Sequence, residues 1–510
     1  MTNHRARTFA SSASAVSAAL LAASLLFCSV AWGQGKPTQL VIAVPANINT
    51  LDPHQTATAT DLSVISDLYQ SLVTRDSDMK IKPAVARSWK AVNDTTWQFE
   101  LVPGVTFPNG EKLDANTVKW NIERVLDPKT ASRIKAWFDP IKEVRVVLPT
   151  VVEIVTKEPY PALVDQMSMF FLLPPKWATE NNPSRIALGS GPYALKEFVS
   201  GDRLVLEARK DYKGTDKPNF DRVVIRPIPE EAARVAAVMA GEVDMASGIL
   251  PTELPRINAS GKAKAAWLPS TRMMFVKFNN LKAPLKDNAL LRQAINHAID
   301  KDSIIKSVLA GTAKPSQCQV LTPDYFGFNA ELKPYAYDPK LARELIAKSG
   351  YNPSQVLELE VPLGRYAQSQ EIAQAVAAQL VEVGLKVKLV EMEFGAWLNK
   401  YRKLGNLGQM AYMGQSWQTL DADGVMTLFE PGNEYAMWSD AKFGVLIREA
   451  RSSVDPVKRK GLYKLATDVM CKEAPVAFLW AQPFTYVLSN RIVWKARGDE
   501  WVRASDMRPR

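Results

Sequence analysis

The chain reads as a mixed α/β protein of two or three domains, and three observations predict this. Residues 356 to 392 hold a strand-like run, a helical run and a second strand-like run, a βαβ unit whose strands should be parallel. Elsewhere, short alternating or continuous apolar runs are interleaved with capped helical segments of period 3.6. Setting aside an apolar leader of 33 residues leaves about 477, more than one core commonly serves.

TQLVIAVPA (38 to 46) is continuously apolar and reads as a buried strand. DLSVISDLYQSLV (61 to 73) is a helix with Asp61 as N-cap. TWQFELVPG (96 to 104) alternates as a half-buried strand, and VEIVTKE (152 to 158) is another. DANTVKWNIERVL (114 to 126) is a helix capped by Asp114. RLVLEAR (203 to 209) and RVVIRPI (222 to 228) are strands around a turn-rich stretch, and EEAARVAAVMAGEVD (230 to 244) is a helix stopped at Gly241. RMMFVKFN (272 to 279) is a strand. Residues 288 to 311 form a helix pair that breaks near Asp300 or Asp302 and stops at Gly311. Asp338-Pro339 and Asp455-Pro456 each place an N-cap before a first-turn proline, starting helices over 338 to 350 and 455 to 473. In the βαβ unit, VLELEV (356 to 361) and LKVKLVEM flank a helix ended by Gly384.

The leader carries Arg5 and Arg7, then an almost wholly apolar run, then Ala31-Trp32-Gly33, which fits a small-x-small cleavage rule. It is expected to be a secretory signal peptide, cut after Gly33. Cleavage removes two of 63 basic residues and none of 53 acidic ones, leaving about +8. The basic residues are dispersed among acids, with no basic block carrying interleaved aromatics, so nucleic acid is not the expected partner. Two cysteines survive, Cys318 and Cys471, either paired or separately buried. Only His54 and His297 remain, little material for a metal site or a Ser-His-Asp triad, and GQSWQ (414 to 418) lacks the second glycine of a nucleophile elbow. No metal or other cofactor is expected.

NINTLDPH, IKPAVARSW, FELVPGVTFPNGEKLDANTVKWNIER, GSGPYALKEFVSGDRLVLEARKDY, GEVD and LRQAINHAIDKDSII follow one another in this order. Together they resemble the peptide/nickel family of periplasmic solute-binding proteins that serve ABC importers. The resemblance covers nearly all of the mature chain. It implies the two-lobed periplasmic binding protein fold (cluster C type) with an extra α/β domain inserted in the first lobe. That first lobe would be discontinuous, taking 34 to 71, 183 to 272 and 481 to 510. The extra domain would fill 72 to 182 and the second lobe 273 to 480. Strands near RMMFVKFN and PVAFLWAQPF would cross between lobes, and hinge bending would close them on a ligand. The family implies no catalysis, a periplasmic location, a small-molecule ligand, a membrane permease as partner and a monomer. A ligand sensor or chaperone-like protein of the same fold is one alternative. A secreted hydrolase using Asp421 and Asp423 as paired carboxylates is another.

Arg365 follows the first strand of the βαβ unit and precedes its helix. Ligands of open α/β sheets lie beyond the carboxyl ends of the strands, and a guanidinium there can hold a carboxylate bidentately. The other reading is a loop arginine in water. Peptide-binding members carry an arginine at the matching place for a ligand carboxylate. GQSWQTLDADGVMTLF (414 to 429) resembles the family's tryptophan strand and Asp-Pro-Asp turn, with Ala422 in place of the proline. Peptide binders put an acidic residue three positions before that turn, facing the peptide's amine; here Gln418 stands there, which disfavours free peptides. Asp421 either joins the ligand site or caps the turn, and Trp417 either stacks on a ligand or packs in the core. Trp137 matches a pocket tryptophan of nickel-binding members, whose later arginine appears here as Phe170, so nickel is disfavoured. Met169 and Phe170 of SMFF read as pocket wall or as core. Asn47, opening NINTLDPH, completes the candidate ligand contacts; His54 and His297 read as structural.

Overall fold

The largest element of the computed structural model, which describes Thr38–Arg510 apart from Leu404, is a sheet of ten strands. The expected leader lies outside the described residues. In spatial order the strands are Lys386–Glu393, Val356–Leu363, Met410–Gln415, Ala263–Phe278, Val476–Ser489, Met245–Ser247, Gln39–Val44, Arg222–Pro227, Arg203–Ala208 and Tyr193–Val199. Two parallel sets sit on either side of a long antiparallel pair. On one side Val356–Leu363 runs parallel to Lys386–Glu393 and to Met410–Gln415, as the βαβ pattern requires. On the other, Gln39–Val44 runs parallel to Arg222–Pro227 and Met245–Ser247.

The central pair, Ala263–Phe278 and Val476–Ser489, belongs to both sides. Met273–Phe278 pairs with Met410–Gln415, whereas Tyr486–Leu488 pairs with Met245–Ser247. Their mutual register shifts between Pro269 and Met273. The sheet therefore hands over from one side to the other at that irregularity.

A separate four-stranded antiparallel sheet has the order Ala86–Asn93, Thr96–Leu101, Val151–Thr156, Ile141–Leu148. The helix Ala115–Leu126 packs on it, turning Val118, Ile122 and Val125 inward at helical spacing. Its N-cap is Asp114, which accepts from the Asn116 and Thr117 amides in a full capping box. Asp300, Asp338 and Asp455 also cap their helices, each accepting from first-turn amides but without the reciprocal bond of the box. Apolar side chains gather around this small sheet, around Met273–Trp480, and in two clusters beside Gln39–Val44.

Cys318 and Cys471 are joined in a disulfide, tying a loop to the helix Pro456–Glu473 across 153 residues of chain. Closing so long a loop restricts the unfolded chain by an amount on the order of 4–5 kcal/mol in the chain-entropy model.

His54 connects the small sheet's helix to the large sheet's cluster. Arg124 Nη1 donates to His54 Nδ1 at 2.7 Å and holds Asp52 through both Nη atoms. The ring proton is thus on Nε2, which donates to the Phe171 carbonyl at 3.1 Å. Phe170 lies parallel to the imidazole at 5.8 Å. Burial, partly offset by Asp52, lowers the His54 pKa to about 4. Unfolded His54 titrates near 6.5, so between 6.5 and 4 the unfolded chain binds the extra proton and this site destabilises the fold as pH falls. Asp67 acts oppositely: burial raises it to about 6, so it stabilises the fold as pH falls through nearly the same window. The two contributions mask each other in a stability curve and separate in a difference. Denaturant unfolding of wild type and His54→Gln at pH 6.5 and 4.5 should therefore move in the variant's favour by about 2 kcal/mol on acidification. An unchanged difference would mean that His54 is not held neutral.

Candidate functional site

The two parallel strand sets point their carboxyl ends at one cleft of about 250 Å³. Val44 and Pro45 end one strand there, and Ser247 and Gly248 end another. From the opposite side come Tyr366 and Ala367, in the loop after Val356–Leu363. The helices Ala59–Leu68 and Ser369–Glu382 also bring their first turns to the cleft, through Thr60 and Ile372. The floor is the central pair at its register shift, contributing Met274, Trp480, Gln482 and Phe484. Ligands of such sheets lie beyond the carboxyl ends of the strands, and the amino ends of helices favour an anionic group there.

Local sequence explains the shape. Gly248 adopts φ +70°, a turn open to glycine at little strain, and Arg234 holds that turn from behind. This buried arginine donates to the carbonyls of Ile228, Pro229, Ser247 and Gly248 at 2.6–3.0 Å. On the facing side the Tyr366 hydroxyl donates to the Gly414 carbonyl at 3.2 Å, and its ring meets Tyr412 edge to face. Gly414 leaves room for its neighbours: a Cβ there would lie 2.3 Å from Met274 Sδ and 2.9 Å from Arg272 Cδ.

Glu500 is the charged residue among the described residues lining the cleft, and two arginines outside that lining stand next to it, Arg365 adjoining Tyr366 in sequence and Arg272 paired with Glu500. Arg365 is exposed beside Tyr366, its guanidinium 5.3 Å from the Tyr366 ring centre and 5.7 Å from that of Phe394. Among the described residues no carboxylate lies within ion-pair distance of it. Its side chain reaches solvent, but neighbouring residues strip part of the hydration from its guanidinium, and this and then Arg272 hold Arg365 below the usual arginine range. Arg272 reaches Glu500 Oε1 through Nη2 at 3.3 Å, while its buried Nε has no partner. Glu500 lines the cleft and carries the opposing charge. The cleft therefore has one carboxylate among aromatic walls, with two guanidinium groups next to its lining residues Tyr366 and Glu500. It can bind an anion with an apolar or amide body.

The other expected contacts lie elsewhere. Trp417 is half-buried, its amide donating to the Tyr325 hydroxyl at 2.6 Å and its ring covering Gly424. Gln418 is exposed beside it. Asp421 is buried and caps the short helix after it, with both carboxylate oxygens 2.8 Å from Arg459 Nη2. Trp137 is half-buried between two apolar clusters. Met169 and Phe170 are buried, each in a different cluster. Asn47 is exposed, its carbonyl accepting from Asn49 Nδ2 at 3.4 Å. None of these seven, nor Arg365 itself, is among the described residues lining the cleft. Sequence reasoning missed Arg272, Tyr366 and Glu500. Arg272 carried a faint signal, as a charge at the head of an otherwise apolar strand.

A family model, Bacterial extracellular solute-binding proteins, family 5 Middle, matches residues 80–436. The glutathione-binding protein GsiB of Escherichia coli (strain K12) is 27% identical over 452 residues, spanning 86% of this chain and 87% of that one. Among solved structures, the ABC transporter substrate-binding protein CtaP from Listeria monocytogenes superposes with a TM-score of 0.83 at 23% identity, covering 93% of this chain and all of the other. NikA from Brucella suis in complex with Fe(III)-EDTA does so with a TM-score of 0.82 at 26% identity, covering 92% of this chain and all of the other.

Proposed function

The chain belongs to the bacterial extracellular solute-binding proteins of family 5, the binding components of ABC importers, and we propose that its solute is a small peptide-like acid held in the cleft described above. The observation that carries this reading is the placing of Arg365 in the loop after the parallel strand Val356–Leu363, beside the cleft residue Tyr366, with Arg272 on the central pair held by the cleft residue Glu500. A carboxylate placed there meets the Arg365 guanidinium, which has no carboxylate within ion-pair distance among the described residues. The aromatic walls suit the remainder of a small peptide, and the likeness to GsiB makes glutathione the first probe.

The chain works as a monomer in the periplasm, freed from its leader after Gly33, and binds without turning its solute over. On this reading the chain divides as the family pattern suggests, into a discontinuous first lobe of 34 to 71, 183 to 272 and 481 to 510, an inserted domain at 72 to 182, and a second lobe at 273 to 480. The separate apolar clusters support that division, and the register shift at Pro269–Met273 supports a hinge there.

Calorimetry tests the solute class, using protein unfolded and refolded without reduction to release any co-purified molecule. Glutathione, trialanine and their carboxyl-amidated forms are the probes. At least one free acid should bind in the micromolar range or tighter, its amide much more weakly, and mass spectrometry should recover it unchanged. Binding of no free acid, or equal binding of acid and amide, overturns the reading.

A further inference from the structure

We infer that Glu500 is the group that receives a positively charged amine of the solute, and that a solute carrying both charges takes apart the Arg272–Glu500 pair on binding. This inference rests on the proposed solute class and adds the second charge to it. Four observations point the same way. Glu500 lines the cleft, and its side chain remains 33% exposed. Its backbone is in the left-handed region at φ +70°, which a non-glycine residue adopts at a cost and which concentrates at binding sites.

The backbone around it is pinned on both sides. The Gly498 carbonyl accepts from the Thr271 amide at 3.0 Å, the Trp501 amide donates to Asp499, and the Val502 amide donates to Ser63 Oγ at 2.9 Å. Asp499 is itself committed to Arg497, so Glu500 is the carboxylate of this segment left for the cleft. Finally, its partner is weakly held: one contact of 3.3 Å to Arg272, whose Nε is orphaned.

Partners change over in the exchange. A ligand ammonium replaces Arg272 against Glu500, and the freed Arg272 joins Arg365 against the ligand carboxylate. Two favourable pairs then stand where one long pair stood, and the net charge of these groups stays at +1, which a second carboxylate on the solute would neutralise. Gln418, neutral and exposed, has no part in holding the amine.

The test compares wild type with Glu500→Gln in calorimetry, using glutathione and trialanine, each with its α-amine free or acetylated. Wild type should prefer the free amine. The variant should lose about tenfold to a hundredfold in affinity for the free-amine probe and keep its affinity for the acetylated one. If Glu500 merely positions Arg272, both forms weaken together, and the assignment is overturned. If wild type binds both forms equally and the variant matches it, Glu500 has no role while the acid-binding reading stands. If no probe binds to wild type, that reading fails and takes this inference with it.

Discussion

Arg365→Ala should weaken binding of the acidic solute thirtyfold to several thousandfold, about 2–5 kcal/mol, while leaving the fold intact. The two halves of this expectation rest on different contacts. In the fold, Arg365 touches the Tyr366 and Phe394 rings, and among the described residues it has no ion-pair partner. Losing exposed cation–π contacts of that kind costs on the order of 1 kcal/mol or less. In the complex the same guanidinium is covered by solute, and a carboxylate left without it stays desolvated and unpaired. Arg365→Lys should fall between, because a lysine keeps the charge and loses the planar fork. Calorimetry with the tightest free-acid probe, beside thermal melting, reads both. A Kd within a factor of about three of wild type would make Arg365 a solvated loop charge.

Local rules of capping and periodicity carried much of the fold. The strand–helix–strand unit at 356 to 392 is parallel, and Asp114, Asp300, Asp338 and Asp455 cap the helices they precede. Gly241, Gly350 and Gly384 take positive φ where helices end. Asp61 shows where a local rule gives way to a tertiary contact. Its carboxylate accepts from the Asn49 amide and from Thr56 Oγ1, so the helix Ala59–Leu68 starts earlier, capped by Thr58. Residues Ala263–Pro269 pair with Val476–Ser489 alone, and along them only Lys264, Trp267 and Pro269 are exposed, a pattern without strict alternation. The cleft was less legible still. Arg272 and Glu500 are 228 residues apart, and neither stands in a motif. Only the crossing of the central pair brings them together, and no local pattern encodes that meeting.

Asp421 separates a structural aspartate from a ligand-binding one. Asp421→Ala should lower the unfolding free energy by about 3–5 kcal/mol and leave the solute Kd of the folded protein within a factor of about three. Asp421 and Arg459 are 2% and 4% exposed, and their contact is doubled, both oxygens at 2.8 Å from one Nη2. The Tyr463 hydroxyl adds a bond to Asp421 Oδ1 at 3.3 Å, and Arg459 Nε donates to the Ala450 carbonyl. Burial pushes the Asp421 carboxyl above the usual range, and Arg459 offsets part of that rise. Removing the carboxylate strands a buried guanidinium whose remaining support is the Ala450 carbonyl, the Tyr463 hydroxyl and the Phe326 ring at 4.7 Å. The pair as a whole is worth far less than that, since two charges were also taken out of water. The double variant Asp421→Leu/Arg459→Met should therefore recover most of the loss, and a double-mutant cycle closed by the single variants Asp421→Leu and Arg459→Met isolates the coupling. Chemical denaturation of these proteins, with calorimetry on each below its transition, decides the matter. A single variant that melts like wild type yet no longer binds the solute would place Asp421 in the ligand site instead.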